Sequence, residues 1–225
     1  MLSFTSFSTL CKTKPRRLFS NTYHRHTFWY TIYYLELCIA LRLFYFDLYT
    51  VTFNYKAVSK QEQTKDNIES LVSILASKDG MLREKARISL VKIGKPAVST
   101  LISTFQNSEV DQVRWEAIKA LGAIVDTKAI PVMVKAIEDD YKDVAWLAAV
   151  GLIKLKMDAW PALLRALIKR GPDSLMLREG AHHILHEQRG AKHSELVAVL
   201  LNALESETAE ESTPPAAYNL LAKIK

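Results

Sequence analysis

The chain has 225 residues, enough for one or two domains, and its 30 Lys and Arg outnumber its 24 Asp and Glu. The excess is local: residues 1–60 hold eight basic and two acidic residues, while residues 61–225 hold 22 of each. A neutral body argues against nucleic-acid binding, which wants a net basic surface, and with Cys11 and Cys38 both in the first 60 residues it contains no disulfide framework and no thiolate zinc site.

The head, residues 1–60, also carries 15 of the 21 aromatic residues. Its first 26 residues contain no acid, five basic residues and eight Ser or Thr. Residues 27–46, TFWYTIYYLELCIALRLFYF, are apolar over a length that spans a bilayer, and the basic cluster before them would lie on the cytoplasmic side. Glu36 and Arg42 oppose that reading, because such charges cost about 2.5–3.5 kcal/mol at a helix centre. An acid-poor, Ser- and Arg-rich leader also fits a targeting segment. The third reading is a start site placed too early, with the composition breaking near Val58. The expected locations follow: cytoplasmic for residues 61–225, or membrane-anchored through residues 27–46.

After the polar stretch SKQEQTKDN, the chain reads as helix pairs. The first helices of the pairs are predicted at Ile68–Ala76, Ala97–Phe105, Ala129–Ile137 and Ala159–Ile168, with apolar residues at helical spacing. Pro131 and Pro161 suit a first turn, where a missing N–H is not needed. The second helices are predicted at Met81–Ile93, Gln112–Val125, Asp143–Leu155 and Leu175–Glu187. Each carries Ala-x-x-x-Leu: Ala86 and Leu90, Ala117 and Leu121, Ala148 and Leu152, Ala181 and Leu185. The alanines step by 31, 31 and 33 residues, the mark of a stacked-helix array. Leu82, Val113, Val144 and Leu177, four residues earlier, complete an inward stripe. Arg83, Arg114 and Arg178 recur before the stripe alanine, with Ala145 in the remaining repeat; their expected role is a packed stem with the head in water. A fifth unit, Ser194–Leu204, an acidic loop Glu205–Ser212 and a helix begun by Pro214-Pro215, reads as a degenerate cap with Ala217 and Leu221 in the stripe positions.

The runs VRWEAIKALGAI and AIPVMVKAI resemble the HEAT family, most closely the short HEAT-like repeats named after phycobilisome lyases. The resemblance covers residues 66–190 and extends weakly to 225; Gly180 departs from it, standing where a helix former is expected. It implies an all-α fold: a right-handed superhelical α-solenoid of antiparallel helix pairs, four clear repeats plus the cap. The family includes scaffolds, assembly factors, chromophore lyase subunits and one iron hydroxylase. The hydroxylases, which bind deoxyhypusine substrates, hold two irons through His-Glu pairs repeated on several second helices. Here that pair occurs once, at His186-Glu187, and Val91-Lys92, Gly122-Ala123 and Ile153-Lys154 stand at the equivalent positions, none able to ligate iron.

Two candidate sites remain. His182 and His186 are four residues apart on one helix, with Glu179 one turn before, the spacing of helical metal ligands; the competing reading is a His-rich exposed face. Trp115 and Trp146 occupy one position on successive second helices, roughly 160° from the stripe alanine at 100° per residue. With Glu116, Lys119, Lys85, Lys92 and Lys154 nearby they form a candidate recognition patch of aromatic anchors in a charged rim; the competing reading packs the indoles between repeats. No residue carries a catalytic role and nothing calls for a cofactor. The expected function is a non-catalytic protein-interaction scaffold, the alternatives being an enzyme or accessory of the lyase type or a metal site at His182 and His186.

Overall fold

From residue 62 onward the chain is a succession of α-helices, and the computed structural model describes residues 62–188, 190 and 192–224. The head lies outside the described residues, and with it the candidate span 27–46 and the targeting and start-site readings. Gln61–Lys225 forms a unit of its own. Among the described residues no helix is long and apolar enough to cross a membrane.

The helices are α1 (residues 62–74), α2 (Gly80–Ile93), α3 (Val98–Asn107), α4 (Asp111–Ile124), α5 (Ile130–Ala136), α6 (Lys142–Leu155), α7 (Trp160–Arg170), α8 (Leu175–His186), α9 (Ser194–Glu205) and α10 (Ala209–Ile224). Short 3-10 turns at Lys95–Ala97, Thr127–Ala129 and Lys156–Ala159 lead into α3, α5 and α7. Ala97, Ala129 and Ala159 lie in these turns and are wholly buried, so the predicted helix starts fall one residue early. Asp79 and Ser174 cap α2 and α8 by accepting from the N–H groups of Met81 and Leu177.

The fold is an all-α solenoid. The helices α2, α4, α6 and α8 stack in order as one layer, and α3, α5 and α7 pack on α4, α6 and α8, with α5 against α7. The Ala-x-x-x-Leu residues of all four second helices are buried. Removing a Leu side chain of this kind from water contributes about 1.5–3 kcal/mol. At the closest approach of α4 and α6, a Cβ on Gly122 would lie 3.3 Å from the Gly151 Cα, so the two glycines let the helices touch backbone to backbone. Gly180 has a similar reason: a Cβ there would meet Ile137 Cγ2 at 2.4 Å.

Four expectations need correction. Leu82 is 47% exposed, whereas Val113, Val144 and Leu177 are buried; among the described residues α2 is the first of the second helices, and none covers that edge. The second-helix ends repeat a positive φ at Gly94, Val125 and Lys156, so Val125 is a left-handed cap beyond α4 and not its last residue. The cap exchanges its layers: α9 packs on α8, and α10 on α7 and α9. Ala217 and Leu221 are buried, but in the layer of the first helices. The predicted acidic loop also shrinks, because α10 begins five residues before Pro214. The Ser206 and Ser212 hydroxyls donate to Ala203 O at 2.9 and 3.1 Å, tying the short turn down.

Candidate functional site

The recurrent arginines are structural bolts. Each Nη1 donates to the carbonyls that end its own repeat's first helix: Arg83 to Ser77 O and Lys78 O, Arg114 to Ser108 O and Glu109 O, Arg178 to Gly171 O and Pro172 O, at 2.6 to 3.4 Å. Each also reaches an acid of the following unit: Glu116, Asp139 and Glu210. Their heads are largely buried, which corrects the expectation of a guanidinium in water. The hydrogen bond to Asp139 and that residue's charge outweigh desolvation and hold the Arg114 pKa above its ordinary value.

Neighbouring second helices leave a groove between them, and the repeat makes the lining positions correspond. In the α2–α4 groove, Gly80, Arg83, Glu84 and Arg87 face Gln112, Trp115, Glu116 and Lys119. In the α6–α8 groove the corresponding residues are Lys142, Ala145, Trp146 and Ala149, facing Met176, Glu179, Gly180 and His183. A third groove begins with Leu175, Arg178, Glu179 and His182 on α8 and is closed by Glu205, Glu207 and Glu210.

The α2–α4 groove is lined by ions. Glu116 is 3% exposed and accepts from Arg83 Nε at 3.4 Å and Arg87 Nε at 2.9 Å. It was expected on the rim of a recognition patch, and the structure corrects that: a carboxylate flanked by two guanidinium groups is held inside the stack. Lys119 Nζ lies 4.1 Å from the centre of the Trp115 ring, a cation–π contact one helical turn long. Trp115 is partly buried against the core. The charge of Asp143, at the edge of this groove, raises the Tyr141 pKa.

The α6–α8 groove differs in kind. Trp146 is 56% exposed and stacks on His183, with ring centres 4.6 Å apart. Its floor is Ile137, Ala149 and Gly180, its far side Leu175 and Met176, and its volume is about 550 Å³ against about 360 Å³ for the α2–α4 groove.

The structure therefore splits the predicted patch. Trp115, Glu116 and Lys119 share one groove and Trp146 lines another. Lys85 and Lys92 are exposed on α2, and Lys154 donates to Gly122 O at 3.3 Å, closing the end of α4. Of the candidate metal ligands, His182 Nε2 lies 2.7 Å from Glu205 Oε1 and its ring centre 5.8 Å from that of His186. Among the described residues no group of three His, Cys, Asp or Glu is placed to hold a metal ion, so His182, His186 and Glu179 are not gathered as a ligand set. Sequence reasoning missed Ala145, Ala149, Met176, Gly180 and His183 as one lining. The signal was present in the repeat alignment, where small residues replace Arg, Arg and Glu.

Residues 98–184 match the family model described as HEAT repeats. No curated protein matches the chain.

Proposed function

We propose that residues 61–225 act as a non-catalytic scaffold that presents the outer faces of α2, α4, α6 and α8 to a protein partner. HEAT repeats are commonly protein-interaction scaffolds, and the match over residues 98–184 supports that class here. The 31-residue step favours the short phycobilisome-lyase type of repeat. The observation that carries the reading is the pair of corresponding grooves on one backbone frame, the first lined by ions and the other by apolar groups. A constant frame with variable lining is how stacked repeats build extended recognition surfaces.

Site-specific photo-crosslinking tests it. A crosslinker is placed at Lys119 or Trp146 on the second-helix face, and at exposed Ser99 on α3 as a comparison. Discrete protein adducts from the first two positions and none from Ser99 are expected. Equal labelling from both faces, or no adduct from either, contradicts the scaffold reading.

A further inference from the structure

We infer that the α6–α8 groove is a preformed receptor for one aromatic side chain of a partner peptide, flanked by an acid on one side and a base on the other. The inference rests on the scaffold reading and names the chemistry of its partner. It starts from a contrast between two corresponding grooves. Arg83, Arg87 and Glu116 line the α2–α4 groove with one ion network. At the three corresponding positions the α6–α8 groove has Ala145, Ala149 and Gly180. Small, uncharged residues at all three positions leave this groove an apolar floor where the α2–α4 groove is ionic.

That floor selects its occupant. Ala145, Ala149, Gly180 and Ile137 offer no side-chain hydrogen-bond partner, so a polar group placed there would lose its water without replacement. An apolar group gains by burial, and the groove's volume of about 550 Å³ falls within the roughly 300–1,000 Å³ usual for preformed sites. The wall formed by Trp146 stacked on His183 presents an aromatic surface, which suits an aromatic anchor through offset or edge-to-face contact. The rim adds direction. Lys142 and Glu179 are exposed, carry opposite charge, and make no ion pair among the described residues. An acid beside the anchor meets Lys142 and a base meets Glu179, which fixes the orientation of the peptide more than its affinity.

The test pans a random dodecapeptide library displayed on phage against the full chain, then measures selected synthetic peptides by fluorescence anisotropy. Enriched peptides are expected to share an aromatic residue flanked by an acid and a base. Ala145→Arg introduces the residue that three other repeats carry and fills the groove; it should weaken binding about tenfold or more, the loss of about 1.4 kcal/mol. Trp146→Ala should weaken it comparably, Lys142→Glu should reverse the preferred peptide charge, and Ser99→Arg should leave affinity unchanged. Melting curves by circular dichroism show whether each variant is folded. Peptides that bind folded wild type and folded Ala145→Arg equally overturn the proposal. If such peptides are sensitive to Lys119→Ala, the scaffold reading survives while the groove assignment falls. If no peptide is enriched, both fall.

Discussion

Arg114 on α4 and Asp139, in the turn that follows α5, share two hydrogen bonds, Nε to Oδ2 at 2.8 Å and Nη2 to Oδ1 at 2.9 Å. The bidentate pair joins one repeat to the next where both side chains are largely shielded from water. Asp139 Oδ1 also accepts from Tyr141 N, so the same carboxylate shapes the turn into α6. Asp139→Ala should destabilise the unit by about 2–4 kcal/mol, since it strands a shielded guanidinium. Asp111 meets the same arginine from an exposed position, and Asp111→Ala should cost less than about 1 kcal/mol. Urea unfolding of the two variants compares these values directly.

Glu116 gives a second test, because the structure moves it from surface to interior. Glu116→Ala leaves Arg83 and Arg87 without their shared counter-charge and should destabilise by about 2–4 kcal/mol. The melting temperature should fall by several degrees. A change within experimental error would show that the network contributes little to the stack.

How much of this was legible in the sequence can be argued from a few residues. The 31-residue step of Ala86, Ala117 and Ala148 specified the stack, because only a small residue lets helices approach that closely. From α2 to α9 the helix boundaries followed within a residue or two, while α1 starts six residues before the predicted Ile68 and α10 five before Pro214; Val125 is the instructive miss, since its apolar side chain continued the pattern while the chain needed a left-handed residue. The exchange of layers in the cap was hidden, because Ala217 and Leu221 are buried equally well in either layer. The site was half legible. Trp115 and Trp146 stood out as large aromatics off the stripe. What separates their environments is the residues across each groove, Arg83 and Arg87 against Gly180 and His183, and no spacing on a single helix reveals that pairing.

Gly180 is held glycine by packing. A methyl group there would meet Ile137 Cγ2, on a side chain that is almost wholly buried. Gly180→Ala should gain about 1 kcal/mol in helix propensity and lose more to overpacking, which typically costs about 1–3 kcal/mol. Net destabilisation is expected, with positive coupling to Ile137→Ala in a double-mutant cycle. A stabilised single variant would contradict the contact.

Val125 carries a strained backbone at φ 56° and ψ 52°, with a β-branched side chain that is 40% exposed. Left-handed conformation costs an L-residue about 1–2 kcal/mol, and glycine adopts it at a helix end without that cost. Val125→Gly should therefore raise stability by about 0.5–1 kcal/mol, measured as a higher urea midpoint with unchanged slope. A lower midpoint would show that the Val125 side chain contributes more than its backbone costs.

The central claim is that the α6–α8 groove, with Ala145, Ala149 and Gly180 where the α2–α4 groove has Arg83, Arg87 and Glu116, is the site that receives a partner. Chemical-shift mapping of a selected peptide on the isotope-labelled full chain tests it most directly. The account predicts that the Trp146 indole N–H and the Ala149 and Gly180 amides move on titration, while the Trp115 indole N–H stays in place. Movement at Trp115 with Trp146 and Gly180 unchanged would contradict it.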